Sequence, residues 1–231
     1  MPRTSNRPRI VVFAKAPQPG RVKTRLIPLL GARGAASLHA RLIERTLAMA
    51  QTGAVGALEL HGTPAHDDYL QRCADRYHAR LVEQSPGDLG ERMRSAFERV
   101  LRTSSSAILI GTDCPALTPI HLREAGLALE NGHDAVLTPV EDGGYALIGL
   151  RHSDARVFEG VEWGTGGVTA ATRTRLRALG WRWSELETLW DVDRPADYQR
   201  LVASGLLDEA NLPRNTAESA LSEQFPLKTG V

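Results

Sequence analysis

The chain has 231 residues, 42% of them hydrophobic and 24% charged, with 28 Lys+Arg against 27 Asp+Glu and a formal charge of +1. This is ordinary globular composition, enough for one α/β core. It excludes a basic nucleic-acid binder, and 5% aromatic content argues against a base-stacking surface. No run of 18 apolar residues is present, so no membrane span is expected.

Residues 9–14 contain Ile10-Val11-Val12-Phe13, a short apolar run suited to a buried strand. From Ala35 to Ala50, apolar positions recur with a helical period. Residues 56–61 read as a second strand, 66–77 as a short helix and 79–84 as a third strand. Asp88 is an N-cap candidate for a helix whose Leu89, Met93, Phe97 and Val100 share one face. Residues 107–110 form a buried strand, and Thr118-Pro119 cap a helix running to about Glu130. Residues 134–140 and 144–150 are strands around Asp142-Gly143-Gly144. A helix over 168–179, a strand over 181–185 and a helix after Asp193-Arg194-Pro195 complete the series, with Asp193 as its cap. Strands alternating with helices predict an α/β, Rossmann-like fold, a mostly parallel sheet with helices on both faces. Residues 1–210 are expected to form a single domain. Residues 211–231 lack a sustained apolar period and are expected to be a peripheral tail.

Charge is segregated along the chain. Residues 1–43 hold nine basic side chains and no acid, whereas residues 103–167 hold nine acids and three bases. An anion site beside a cation site accounts for this, as does chance sorting of surface charge. The loop after the first strand, Lys15 to Leu26, offers Lys15, Arg21, Lys23 and Arg25 on a backbone shaped by Pro17, Pro19 and Gly20. Arg suits bidentate phosphate contacts and Lys a point charge. The loop lacks both the Walker A and the dinucleotide glycine patterns. Asp113 follows the strand at 107–110, where a carboxylate can hold Mg²⁺ or Mn²⁺ together with phosphate; Asp191 and Asp193 are a second carboxylate source. Singly, each is equally a turn or cap residue. The seven histidines show no zinc spacing and read mostly as surface residues. Two cysteines, Cys73 and Cys114, build no disulfide framework, so a reducing, cytoplasmic setting is expected, with Cys114 structural.

The segments Lys15-Ala16-Pro17-x-Pro19-Gly20-x-Val22-Lys23-Thr24-Arg25-Leu26, Gly111-Thr112-Asp113-Cys114-Pro115, Asp142-Gly143-Gly144-Tyr145, Trp163-Gly164-Thr165 and Asp191-Val192-Asp193-x-Pro195 occur together in this order. The pattern resembles the glycosyltransferase-A-like family of bacterial nucleotide-diphospho-sugar transferases, some of them associated with arsenosugar biosynthesis. The resemblance spans residues 9–205. It implies a metal-dependent glycosyltransferase with a nucleotide-sugar donor, no nucleic-acid partner and an unspecified oligomeric state. By the same resemblance, Lys15, Gly20, Arg21, Lys23 and Arg25 would cradle nucleotide phosphates. Asp113 would bind the metal with Asp193, or Asp191 as its substitute, and Asp113 and Asp193 would carry catalysis. Asp142, Gly143 and Gly144 would line the donor or acceptor side, although a hairpin explains them equally. Trp163 would face a sugar or pack as a lid. Gly164-Thr165-Gly166-Gly167 would bind an anion or simply form a helix cap. Lys23-Thr24-Arg25-Leu26 also looks like the first-loop motif of phospholactate guanylyltransferases, which keeps nucleotidyl transfer as an alternative. A non-catalytic nucleotide-binding module is the alternative of another class.

Overall fold

The computed structural model describes residues 7–207, so the expected tail at 211–231 lies outside the described residues. The strands are β1 (Arg9–Lys15), β2 (Leu58–Thr63), β3 (Arg80–Glu83), β4 (Ala107–Ile110), β5 (Ala135–Pro139), β6 (Tyr145–Leu150) and β7 (Trp183–Glu185). They form one seven-stranded sheet in the order β3-β2-β1-β4-β6-β5-β7. All pairings are parallel except the two made by β6, which forms a hairpin with β5 and runs against β4. The mostly parallel sheet expected from the sequence is therefore present, with β6 the single reversed strand.

Period-two alternation decides what each strand buries. Along β1, Ile10, Val12 and Ala14 join one core with residues of α1 (Ile27–Gly53), α2 (Asp68–Arg76) and α4 (Pro119–Glu130). Val11 and Phe13 point the other way, into a core with Met93, Phe97 and Val100 of α3 (Leu89–Val100) and Leu176 of α5 (Val168–Ala178). Helices thus cover both faces, which explains why the strands read as continuous apolar runs. A third cluster joins Leu38 and Leu42 of α1 to Val192 and to Leu201 of α6 (Pro195–Ser204).

Local chemistry sets the helix ends. Asp88 caps α3 in a reciprocal box: its carboxylate accepts from Glu91 N–H at 2.9 Å, and Glu91 accepts from Asp88 N–H at 2.9 Å. Thr118 is the N-cap of α4, with Pro119 in its first turn. α1 extends N-terminally beyond the expected start at Ala35, across a break at Gly31, where φ is +70°. The expected cap of α6 is corrected. Pro195 takes the first helical position, so Arg194 is the N-cap. The carboxylate of Asp197 accepts from the N–H groups of Asp193 and Arg194 at 3.0 and 2.6 Å.

Candidate active site

The chain leaves β1 for β2 on one side and later returns to β4 on the other, so the strand order reverses between β1 and β4. In open α/β sheets ligands bind outside the carboxyl ends of the strands at such a point. The loop after β1 and the loop carrying Asp113 both start there. Ala16 N–H donates to Thr63 O at 3.1 Å, fixing the base of the first loop to the end of β2. Lys15 Nζ donates to Arg21 O at 2.9 Å and closes the loop on itself, while the Arg21 side chain stays exposed. Gly20 has φ +80° with open space around it, a turn that needs glycine for its backbone and not for clearance.

Two of the five residues expected to cradle phosphates, Lys23 and Arg25, turn toward the carboxylates. Lys23, at φ 46° and ψ 42°, is left-handed, and its side chain is only 4% exposed. Its ammonium donates to Asp113 Oδ1 at 2.5 Å and to Val192 O at 2.6 Å. Val192 N–H in turn donates to Asp113 O at 2.9 Å. Arg25 pairs with Asp193. Asp113 is hemmed in by protein, yet 53% of its side chain is open to solvent, so the carboxylate lies in a depression. Burial alone would raise its pKa, but the Lys23 ammonium beside it holds the carboxyl below the usual range.

Asp191 behaves in the opposite way. Burial, then the facing carboxylates of Asp142 and Asp113, push its carboxyl up to about 6 against the partial relief from Lys23. The bridge between Val140 and Leu189, with Glu141 N–H donating to Leu189 O at 2.9 Å, brings the Asp142 turn beside the Asp191 loop. Asp113, Asp142 and Asp191 therefore share one region, whereas Asp193 is engaged by Arg25.

The Asp142-Gly143-Gly144 segment is the β5–β6 hairpin turn, with Asp142 Oδ1 accepting from Gly144 N–H at 2.8 Å. It also docks on the start of α5: Thr169 N–H donates to Gly143 O at 2.9 Å and Thr169 Oγ1 to Gly144 O at 2.6 Å. Gly143 has φ +91°, and a Cβ there would lie 2.0 Å from Gly166 O. In this arrangement Thr169 N–H serves the turn and is not offered to an anion. Trp163 packs edge-on to Tyr145, ring centroids 6.5 Å apart, and its indole lies against Gly90 of α3.

Three of the seven histidines are buried, His39, His61 and His121, while the other four are exposed or half-buried. His39 on α1 shares the spacing of Ala35, Leu38, Leu42 and Ile43, and that periodicity was the available signal. Its Nε2 lies 3.0 Å from Lys15 O, while Nδ1 has no hydrogen-bond partner and sits 4.0 Å from Asp113 Oδ1. Burial lowers its basicity, and because a carbonyl can only accept, Nε2 is the donor, which in the neutral ring leaves Nδ1 a bare acceptor. Also unanticipated is Arg45, whose Nε donates to Pro115 O at 2.9 Å and secures the Asp113 loop from α1. Burial pushes the Cys114 thiol up to about 12, so it stays protonated and inert. A cavity of about 390 Å³ lined by Arg7, Ser106, Glu130 and Arg151 lies at the opposite, amino edge of the sheet, away from all of these groups.

Among the described residues no three His, Cys, Asp or Glu side chains gather into a metal cage. A Mg²⁺ or Mn²⁺ ion that completes its shell with phosphate oxygens needs only one or two carboxylates. Hard oxygen donors, and the carboxylates of Asp142 and Asp113 facing a part-buried Asp191, fit such an ion.

The fold is the Rossmann-like α/β fold of the nucleotide-diphospho-sugar transferase class. The chain is similar to a protein of Desulfovibrio desulfuricans G20 provisionally named a nucleotide-diphospho-sugar transferase, at 27% identity over 95% of each chain and a TM-score of 0.80. It shares its fold with the inositol-1-phosphate CTP transferase of T. maritima, at 12% identity over 93% of this chain and 100% of that one, TM-score 0.62. It also shares it with the glucosyl-3-phosphoglycerate synthase of Mycobacterium tuberculosis, solved with Mn²⁺, UDP and glucosyl-3-phosphoglycerate, at 15% identity over 90% of this chain and 82% of that one, TM-score 0.50. No curated protein matches the sequence. The chain belongs to the bacterial family described as "Uncharacterized protein conserved in bacteria (DUF2064)", which matches residues 46–165.

Proposed function

We propose that the protein is a glycosyltransferase that takes a nucleotide-diphospho-sugar donor with a divalent cation, Mg²⁺ or Mn²⁺. The observation that carries this is the meeting of Asp113, Asp142 and Asp191 at the strand-order reversal, with Asp191 raised to about 6 by burial and then by the carboxylates of Asp142 and Asp113. Such crowded carboxylates are costly without a cation. Asp113 and Asp191 would hold the ion, because Asp193 is already committed to Arg25. When bound, the cation would neutralise charge on the departing diphosphate. Lys15 and Arg21, exposed on the rim of the first loop, would meet the outer phosphate oxygens. The hairpin turn at Asp142-Gly143-Gly144 and the Trp163 segment would wall the sugar or acceptor side. Two free, buried cysteines accord with a reducing compartment, and we place the enzyme in the cytoplasm. No helix among the described residues is long and apolar enough to cross a membrane.

The rival is nucleotidyl transfer, favoured by the fold shared with the CTP transferase of T. maritima. The two reactions break different bonds. Glycosyl transfer leaves a nucleoside diphosphate, whereas nucleotidyl transfer attacks the α-phosphorus and releases pyrophosphate. The first loop is interrupted by Pro17 and Pro19 and carries only Gly20, a poor cradle for a triphosphate tail. The test incubates the protein and Mg²⁺ or Mn²⁺ with common nucleotide-sugars, and separately with triphosphates plus sugar phosphates, and identifies the nucleotide product. Slow release of nucleoside diphosphate, with water in place of the acceptor, is expected. Pyrophosphate release with every nucleotide-sugar intact would promote the rival, and nucleotide binding without turnover in either arm would favour a binding module.

A further inference from the structure

We infer that Lys23 is a positioning residue for Asp113, held in place while substrate comes and goes, and is not itself a phosphate ligand. This rests on the cleft being the cation–diphosphate site proposed above. Lys23 is one of only three lysines in the chain, with Lys15 and Lys228, against 25 arginines. The exposed cations of the same loop, Lys15 and Arg21, are the phosphate contacts of the proposed site. The slot at Lys23 instead suits a compact ammonium, because a planar guanidinium would bring five donors to a place with few acceptors.

Three observations fix the ammonium inward. The side chain is 4% exposed, far less than the Asp113 carboxylate it meets at 53%. Its backbone is left-handed at a non-glycine position, a conformation that persists where the surroundings over-determine it. Its two partners lie on different loops, Asp113 Oδ1 at 2.5 Å and Val192 O at 2.6 Å. Val192 N–H reaches back to Asp113 O at 2.9 Å, so three hydrogen bonds tie Asp113 to the residue between Asp191 and Asp193. Lys23 therefore sets the spacing of the two carboxylate loops. It engages one oxygen of Asp113 and leaves the other for a cation.

Having three lysines makes the test direct. Protein labelled with ¹⁵N-lysine is assigned through Lys15→Arg and Lys228→Arg and titrated with Mg²⁺ together with CDP, UDP, GDP and ADP in turn. In the free protein the Lys23 ammonium protons are expected to exchange at least tenfold more slowly than those of Lys15. On binding, the Lys15 signal shifts and the Lys23 signal stays. A Lys23 signal that moves and couples to ³¹P, or that exchanges as fast as Lys15 in the free protein, overturns the assignment. A second measurement needs no ligand. Asp113→Asn strands a buried ammonium, so the double variant Lys23→Met/Asp113→Asn should melt above Asp113→Asn alone. A double variant that melts lower, by the sum of the two single losses, also overturns it. If no diphosphate shifts any signal, the proposed function fails, and the free-state exchange and the melting cycle still decide the role of Lys23.

Discussion

Replacing Asp191 by Asn should stabilise the protein, and the amount follows from the electrostatics of the cleft. Burial and the carboxylates of Asp142 and Asp113 raise Asp191 from 3.8 to about 6. A shift of that size corresponds to about 3 kcal/mol between its two protonation states, of which solvent at a partly open site leaves roughly 1–2 kcal/mol. The folded chain holds this proton more tightly than the unfolded chain does. The contribution of Asp191 is therefore fully present below about pH 4, is lost as pH rises through about 6, and is flat beyond. Asp191→Asn removes the penalty, so the variant should exceed wild type by about 1–2 kcal/mol at pH 7 and converge with it at pH 4. Urea unfolding at half-unit steps from pH 4 to 8 reads this directly. Mn²⁺ with a nucleoside diphosphate should narrow the gap, because a cation relieves the same repulsion. Parallel curves for the two proteins across that range would refute the shared electrostatic region.

Beneath the cleft, burial favours the neutral form of Glu59, but the hydrogen bond to His61 and the Arg99 guanidinium at 2.6 Å hold its carboxyl down at about 2. That stability is present above about pH 4.5 and is lost as pH falls toward 2. Arg99→Met should cost about 3 kcal/mol by leaving Glu59 short of its cation, and should move acid unfolding, followed by circular dichroism, to higher pH. A variant with an unchanged acid midpoint would contradict this account. Gly143→Ala meets both a φ of +91° and the Gly166 carbonyl, whereas Gly20→Ala meets only a φ of +80° in open space. The first should cost roughly 3 kcal/mol and the second about 1 kcal/mol, and equal melting losses would show that the Gly166 contact is not what constrains Gly143.

All seven strands and six α-helices of the described residues were legible as kinds because burial leaves a periodic trace, whereas the short 3-10 turns at Thr24–Leu26 and Ala155–Val157 were not. β1 and β4 show the unbroken apolar runs of strands covered on both faces, and the α3 stripe Met93, Phe97, Val100 is what a half-buried helix requires. The reversal of β6 follows from the Asp142-Gly143-Gly144 turn, which makes its two flanking strands a hairpin. Less legible were features created by contacts between distant segments. Nothing local to Lys23 or Arg25 discloses that Asp113 and Asp193, 90 and 168 positions away, are their partners. Without those partners, a basic loop reads as phosphate ligands. The α6 cap was misassigned by one residue because Asp193 is the better capping type, yet Pro195 fixes the position, and Asp197 supplies the oxygen from inside the helix. His39 looked like a surface histidine until the packing of α1 against the end of β1 turned it inward.

The bonds from Thr169 to Gly143 and Gly144, with Gly166 pressed against Gly143, join two stretches of chain more than twenty residues apart into one unit. For anyone re-engineering this wall, the coupling turns two adjustable loops into a single cassette. A loop grafted at 141–145 without its matching 163–169 segment would lose the carbonyls that occupy the start of α5 and meet a backbone shaped for glycine. The coupling lies in the backbone: the Gly143 and Gly144 carbonyls accept from Thr169, so a change on either side of the wall has to preserve both segments together.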